Sequence, residues 1–295
     1  MNKGLVLKIT GGNYTIKDLD TKEVIMAKAS GKLRYVRISS DKIITVSPKA
    51  GDIVSYENNY IHEVYERKNS MRRPDVSNVD QIVLIFACKE PAFSYNLLDN
   101  FILHIEKENI GIKIVITKID LLNDKELEDL KKNLSYYESI GYEVFYTSSK
   151  ESNGIDNLKP LFENKISVLS GQTGAGKSSL LNAIDPNYKQ NTGEISKALG
   201  RGKHTTRTTE LLEYDNGYIA DTPGFSSLDF FGFEIDDLKK GFKDFYKLSS
   251  ECRYSDCNHI NEPDCAVKNN LDKILKSRYE NYLKFYEEIK KNKKY

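Results

Sequence analysis

Residues 171–178 read GQTGAGKS, a glycine-rich loop of the form G-x-x-x-x-G-K-S. The apolar run KISVLS leads into it, and residues 177–184 behind it suit a helix. Gly171, Gly174 and Gly176 permit backbone angles that turn successive N–H groups toward phosphate oxygens. The helix N-terminus adds its positive end. Lys177 offers a point charge to β- and γ-phosphates, and the Ser178 hydroxyl suits Mg²⁺. Gln172, Thr173, Ala175 and Ser179 complete the expected phosphate-binding stretch. Such a loop needs a strand before it and a helix after it, so its neighbours should alternate strand and helix around a mainly parallel sheet.

The neighbours do alternate. QIVLIFA is a continuous apolar run, as a buried parallel strand requires, and Cys88 at its end reads as a buried strand residue. Tyr95 to Glu108 carries a helical apolar face of Leu97, Leu98, Phe101, Ile102 and Ile105. Then come the strand IKIVIT, a helix from Asp124 to Ser139, the strand YEVFYT and a short helix near 155–162. TTELLEYDNGYIADT reads as a hairpin turning at Asp215-Asn216-Gly217.

Three further motifs sit at strand ends. Thr117-Lys118-Ile119-Asp120 follows IKIVIT, where an (N/T)-K-x-D reads guanine in GTP-binding proteins. The Asp120 carboxylate would accept from the ring N–H and the exocyclic amine, whereas adenine would present it with an acceptor. Thr147-Ser148-Ser149 matches the loop that supports the base edge, with Ser148 as the contact. Asp221-Thr222-Pro223-Gly224 ends GYIAD; Asp221 suits the Mg²⁺ shell and the Gly224 N–H a γ-phosphate.

These motifs resemble the signatures of Ras-like GTPases in a rotated order. The base-reading loops precede the phosphate loop, which implies circular permutation; closely spaced surface termini make that tolerable. It also runs the switch segment after Gly224 straight into the C-terminal region.

Residues 1–68 read as short alternating strands, KGLVLKIT, YTIKDL, EVIMAKA, LRYVRIS and KIITVS, then DIVSYENNYIHEVYE. They suit a small OB-fold-like or SH3-like barrel. Tyr14, Tyr35 and Tyr56 are either barrel core or base-stacking groups. RKNSMRRPD (67–75) reads as a linker. After Phe230 the strands stop: FEIDDLKKGFKDFYKL is helical, and a last helix is expected from about Val267 to Lys291. Between them Cys252, Cys257, His259 and Cys265 place three thiols and an imidazole within fourteen residues. A closed Cys3His set is a tetrahedral structural zinc site, with no position open for catalytic water. His62 and His104 have no companion ligand nearby and read as structural.

The longest apolar run, Ile82 to Cys88, is far short of the roughly 20 residues a membrane span needs. The N-terminus lacks a secretion signal's apolar block, so a cytoplasmic protein is expected. Net charge is +4 over residues 1–68, −5 over 69–231 and +2 over 232–295. Basic ends around an acidic middle point to a polyanion met by the ends.

The barrel, the permuted GTPase order and the Cys/His cluster together resemble the ribosome small-subunit-dependent GTPase A family (RsgA). SNVDQIVLIFA, GRGKHTTR (200–207) and DTPGF (221–225) carry the likeness. The resemblance implies an α/β multidomain chain: an RNA-binding OB-fold-like barrel (1–68), a circularly permuted Ras-like G domain (69–230) and a helical zinc domain (231–295). It implies GTP hydrolysis with Mg²⁺, a late role in maturation of the small (30S) ribosomal subunit, stimulation by that subunit, and contact with its 16S rRNA. A monomer is expected, with GTP and GDP as ligands and no membrane partner. The position after DTPG, where many GTPases place a water-orienting Gln, holds Phe225. The resemblance gives that role to His204, and the second Mg²⁺ ligand to Thr205 or Thr206.

Overall fold

The computed structural model describes residues 1–31, 33, 36–39, 42–44, 47–71, 74–185, 209–221 and 228–292. In chain order these form β1 (Asn2–Thr10), β2 (Asn13–Asp18), β3 (Val24–Ala29), β4 (Val36–Ser39), β5 (Lys42–Ile44), β6 (Ile53–Glu57), β7 (Tyr60–Val64), β8 (Gln81–Ala87), α1 (Tyr95–Lys107), β9 (Gly111–Thr117), α2 (Asp124–Ser139), β10 (Glu143–Tyr146), α3 (Lys159–Phe162), β11 (Ile166–Gly171), α4 (Lys177–Ile184), β12 (Glu210–Tyr214) and β13 (Gly217–Asp221). Helices Ile235–Gly241, Lys243–Leu248, Ala266–Asn269 and Lys276–Asn292 follow. The chain divides into two compact units, one of residues 1–82, 157–170 and 181–225, the other of 83–156, 171–180 and 226–295.

In the first unit five strands close on themselves. β1 lies antiparallel to both β2 and β6, β2 to β3 and β6 to β7, and β3 runs parallel to β7. Their alternating residues send Val6, Ile16, Val54 and Ile61 into one buried core with Tyr14 and Tyr56. Both tyrosines are therefore core, and neither is available for stacking; Tyr56 donates to the buried Asp18 carboxylate.

Two strand expectations change. Of the stretches LRYVRIS and KIITVS, the described strands β4 and β5 pair with each other, and among the described residues neither joins the barrel sheet. Instead DIVSYENNYIHEVYE supplies two strands, because Asn58 (φ 50°) and Asn59 (φ 63°) take the left-handed angles of a two-residue hairpin turn. The polar stretch that begins at Arg67 is held at two described residues: Arg67 donates twice to the fully buried Asp52, and Met71 N–H bonds to Val76 O. The same unit holds β11, parallel to β13, and the β12–β13 hairpin, turning through Asp215 and Asn216.

In the second unit β8, β9 and β10 lie side by side, β9 and β10 parallel. All seven residues of β8 are buried, as its sequence requires. Cys88 lies one residue past that strand and is buried; its N–H still bonds to Thr117 O of β9, and its thiol faces Lys118 O at 3.0 Å. Ser94 caps α1 and an Asn123–Glu126 capping box opens α2, which explains their sharp starts. Leu103 of α1 shares a core with Phe230, Leu238, Phe242, Phe245, Tyr282 and Phe285.

The C-terminal helices are shorter than their apolar patterns suggest. Residues 233–248 break at Phe242 (ψ 78°) into two helices. The expected helix from Val267 is also two, because Asn270 caps the first by bonding Ala266 O, leaving Leu271 exposed before the second starts at Lys276.

Candidate nucleotide site and metal centre

The glycine loop leaves β11 and enters α4 as expected. Gly171 (φ 123°) meets β8 so closely that a Cβ there would lie 2.2 Å from Ile85 O. Gln172 N–H bonds to that same carbonyl at 3.0 Å. Gly174 and Gly176 also take positive φ, 78° and 84°. These angles curl the loop so that the Lys177 ammonium lies over it, 3.1 Å from Gln172 O. Burial pushes the Lys177 pKa down, so an anionic phosphate beside it would push it back up.

Although 58 residues separate them in sequence, Thr117 and Ala175 meet: the Thr117 hydroxyl donates to Ala175 O at 2.6 Å. Lys118 (φ 62°) donates to Gly174 O at 3.0 Å and to Glu90 O. The Lys118 stem therefore lies beside the phosphate loop, where it can cover a base. Asp120 accepts from the buried Ser148 hydroxyl at 2.6 Å, which orients its carboxylate. Ile119 N–H bonds to Thr147 O, joining the two base-reading loops through their backbones.

One contributor was not singled out from the sequence. The segment 88–94 packs on both loops: Ala92 O accepts from Gln172 Nε2 at 2.8 Å, and Glu90 O accepts from Lys118. Its only signal was Glu90-Pro91 following a buried strand. Asp221 ends β13. His204, Thr205, Thr206 and Gly224 lie outside the described residues.

Cys252, Cys257, His259 and Cys265 converge with their ligand atoms within 4.8 Å of one another. His259 Nδ1 faces Cys265 Sγ at 3.4 Å and Cys252 Sγ at 3.7 Å. Its Nε2 faces Ser249 Oγ at 3.2 Å, and Ser249 donates to Phe245 O. Ser249 Oγ thus accepts from Nε2–H, which leaves Nδ1 as the ligating atom. Burial, then the charge of Lys239, lowers the imidazole pKa and keeps it neutral. Burial and the neighbouring thiols push Cys257 up to about 12, which a dication would reverse. Three thiols and a neutral imidazole at these distances fit zinc.

The same unit contains a buried ionic node. Arg278, fully buried, donates to Asp99 of α1 at 2.6 Å and to Asp244 at 3.0 Å. Tyr137 and Asn281 also donate to Asp99, and Tyr136 to Asp244.

The model of the family "RsgA GTPase" matches residues 64–231. The chain is 44% identical to the small ribosomal subunit biogenesis GTPase RsgA of Phytoplasma mali, over 100% of this chain and 98% of that one. The chain belongs to the RsgA GTPase family. It is thereby a GTPase. The Bacillus pumilus RsgA is 45% identical, with 99% of each chain covered. Among solved structures, YjeQ from Thermotoga maritima aligns with a TM-score of 0.81 at 36% identity, covering 98% of each chain. YloQ, described as a circularly permuted GTPase, aligns with a TM-score of 0.81 at 37% identity, over 99% of this chain and 96% of that one. The RsgA likeness thus spans the barrel, the permuted GTPase and the helical region with its Cys3His cluster. Among the described residues no helix is long and apolar enough to cross a membrane.

Proposed function

We propose that this chain is a cytoplasmic, monomeric GTPase of late small-subunit maturation, whose hydrolysis is stimulated by the 30S particle. The supporting observation is the meeting of the guanine motif with the phosphate loop, through Thr117 on Ala175 and Lys118 on Gly174. One loop would hold the base while the other holds the phosphates of the same nucleotide.

Asp120 reads the guanine edge, held by Ser148, and Lys118 covers the ring. The N–H groups of 171–179 and Lys177 cradle the phosphates. Mg²⁺, held by Ser178, Asp221 and Thr205 or Thr206, would neutralise charge developing on the phosphate oxygens. Gly224 offers its N–H to the γ-phosphate, and His204 orients the attacking water. The residues divide into an rRNA-binding barrel (1–68), the G domain (69–230) and a zinc domain (231–295). One structural zinc on Cys252, Cys257, His259 and Cys265 supports the last. The 16S rRNA is the partner of the basic ends.

Asp120→Asn tests the guanine assignment, because the amide puts a donor where one acceptor stood. Preference should swing from GTP toward XTP by roughly a hundredfold in kcat/KM. Unchanged preference would remove Asp120 from base reading.

A further inference from the structure

We propose that Glu262 is the positioning residue of the metal centre, holding the 258–261 backbone in the turn that aims His259 Nδ1 at the three sulfurs. This rests on the zinc reading above.

His259 has φ 60°, a left-handed angle uncommon for a residue with a Cβ. Glu262 braces the backbone on both sides of it. Its Oε1 accepts from Asn258 N–H at 2.9 Å. Its Oε2 accepts from Ile260 N–H at 2.9 Å and Asn261 N–H at 3.1 Å. Three amides flanking the ligand therefore converge on one carboxylate. The carbonyl side is fixed as well. Tyr279 donates to His259 O at 2.8 Å and Tyr282 to Asn258 O at 3.1 Å, both from helix Lys276–Asn292. Of these groups only Glu262 belongs to the turn itself and gathers three of its N–H groups on one side chain. Without it the three N–H groups turn to water, His259 relaxes to negative φ, and its ring swings from the sulfurs. Backbone hydrogen bonds hold this carboxyl down at about 2, so it remains ionised over the working range.

The test uses full-length protein, zinc-loaded, as wild type, Glu262→Ala and Glu262→Gln. Zinc affinity is measured by competition with a chromophoric chelator, and the coordination sphere by the visible spectrum after cobalt substitution. Glu262→Ala should weaken zinc binding about 10- to 100-fold. Its cobalt spectrum should move as nitrogen is replaced by water oxygen, a change that loss of general stability would not produce. Glu262→Gln keeps one acceptor oxygen and should fall between; being isosteric, it carries the test if the alanine variant does not fold. Both variants binding zinc within twofold of wild type, with its cobalt spectrum, would overturn the proposal alone. Wild type taking up no zinc would overturn the zinc reading along with it.

Discussion

Replacing Arg278 with Met removes one buried cation and leaves the buried Asp99 and Asp244 carboxyl groups without their shared counter-charge. In the native protein the guanidinium reaches Asp99 and Asp244 at 2.6 and 3.0 Å and stacks 4.1 Å from the Phe242 ring centroid. One positive charge serves two acids, and they respond differently. Burial raises the Asp99 carboxyl more than Arg278, Asn281 and Tyr137 lower it. Burial also opposes ionisation of Asp244, but Arg278 and the Tyr136 hydrogen bond outweigh it and hold that carboxyl low. Removing one partner of a buried pair costs about 3–5 kcal/mol. For a unit of about 150 residues that is roughly 6–20 °C in Tm. The pH dependence has a definite sign. In native protein the Asp244 contribution is present above the ordinary carboxylate value and is lost as pH falls through its lowered one. In the variant both carboxyls lie above their unfolded values, so protonation favours the fold. The deficit should be largest near pH 7 and shrink toward about pH 5. Thermal unfolding by circular dichroism across that range, with hydrogen exchange of α1 and helix Lys276–Asn292, is the assay. Adding Asp99→Asn and Asp244→Asn should recover most of the loss, since the unpaired charges cause it. An Arg278→Met protein within about 1 kcal/mol of wild type near pH 7, or a deficit that ignores pH, would refute the reasoning.

Two further substitutions probe the nucleotide loops. Gly171→Ala places a methyl 2.2 Å from Ile85 O at a φ of 123°, so the phosphate loop must move. GDP affinity should fall about 10- to 100-fold in a fluorescent-nucleotide titration, and a change under threefold would show that the loop tolerates the shift. Ser148→Ala removes the 2.6 Å bond that orients Asp120. Guanine nucleotide binding should weaken about 3- to 10-fold; calorimetry finding no change would mean that Asp120 is held by other groups.

What the sequence revealed was local or motif-borne. Asn123 and Glu126 mark the start of α2, and its expected limits, 124–139, are the observed ones. Asp215 and Asn216 announce their hairpin because few other residues take two left-handed angles in succession. The permuted α/β fold with its small barrel was legible from the order of the motifs and the alternation of strands. Asn58-Asn59 carried the same turn signal as Asp215-Asn216, but the long alternating run around it hid the break. Arg278 sat in an apolar stripe and gave no sign of its partners, 179 and 34 residues away. Periodicity reports which face is buried, not what it meets. The same holds for Glu262, whose acceptor role depends on a turn that only the fold defines, and for segment 88–94, which has no periodic pattern.

GTP hydrolysis with and without purified 30S subunits is the most direct test of the account, with 50S subunits and ATP as controls. The account predicts slow intrinsic turnover, strong acceleration by 30S alone, and no use of ATP. GTP bound but hydrolysed no faster with 30S than with 50S would contradict the ribosomal reading and leave the nucleotide site in search of another activator.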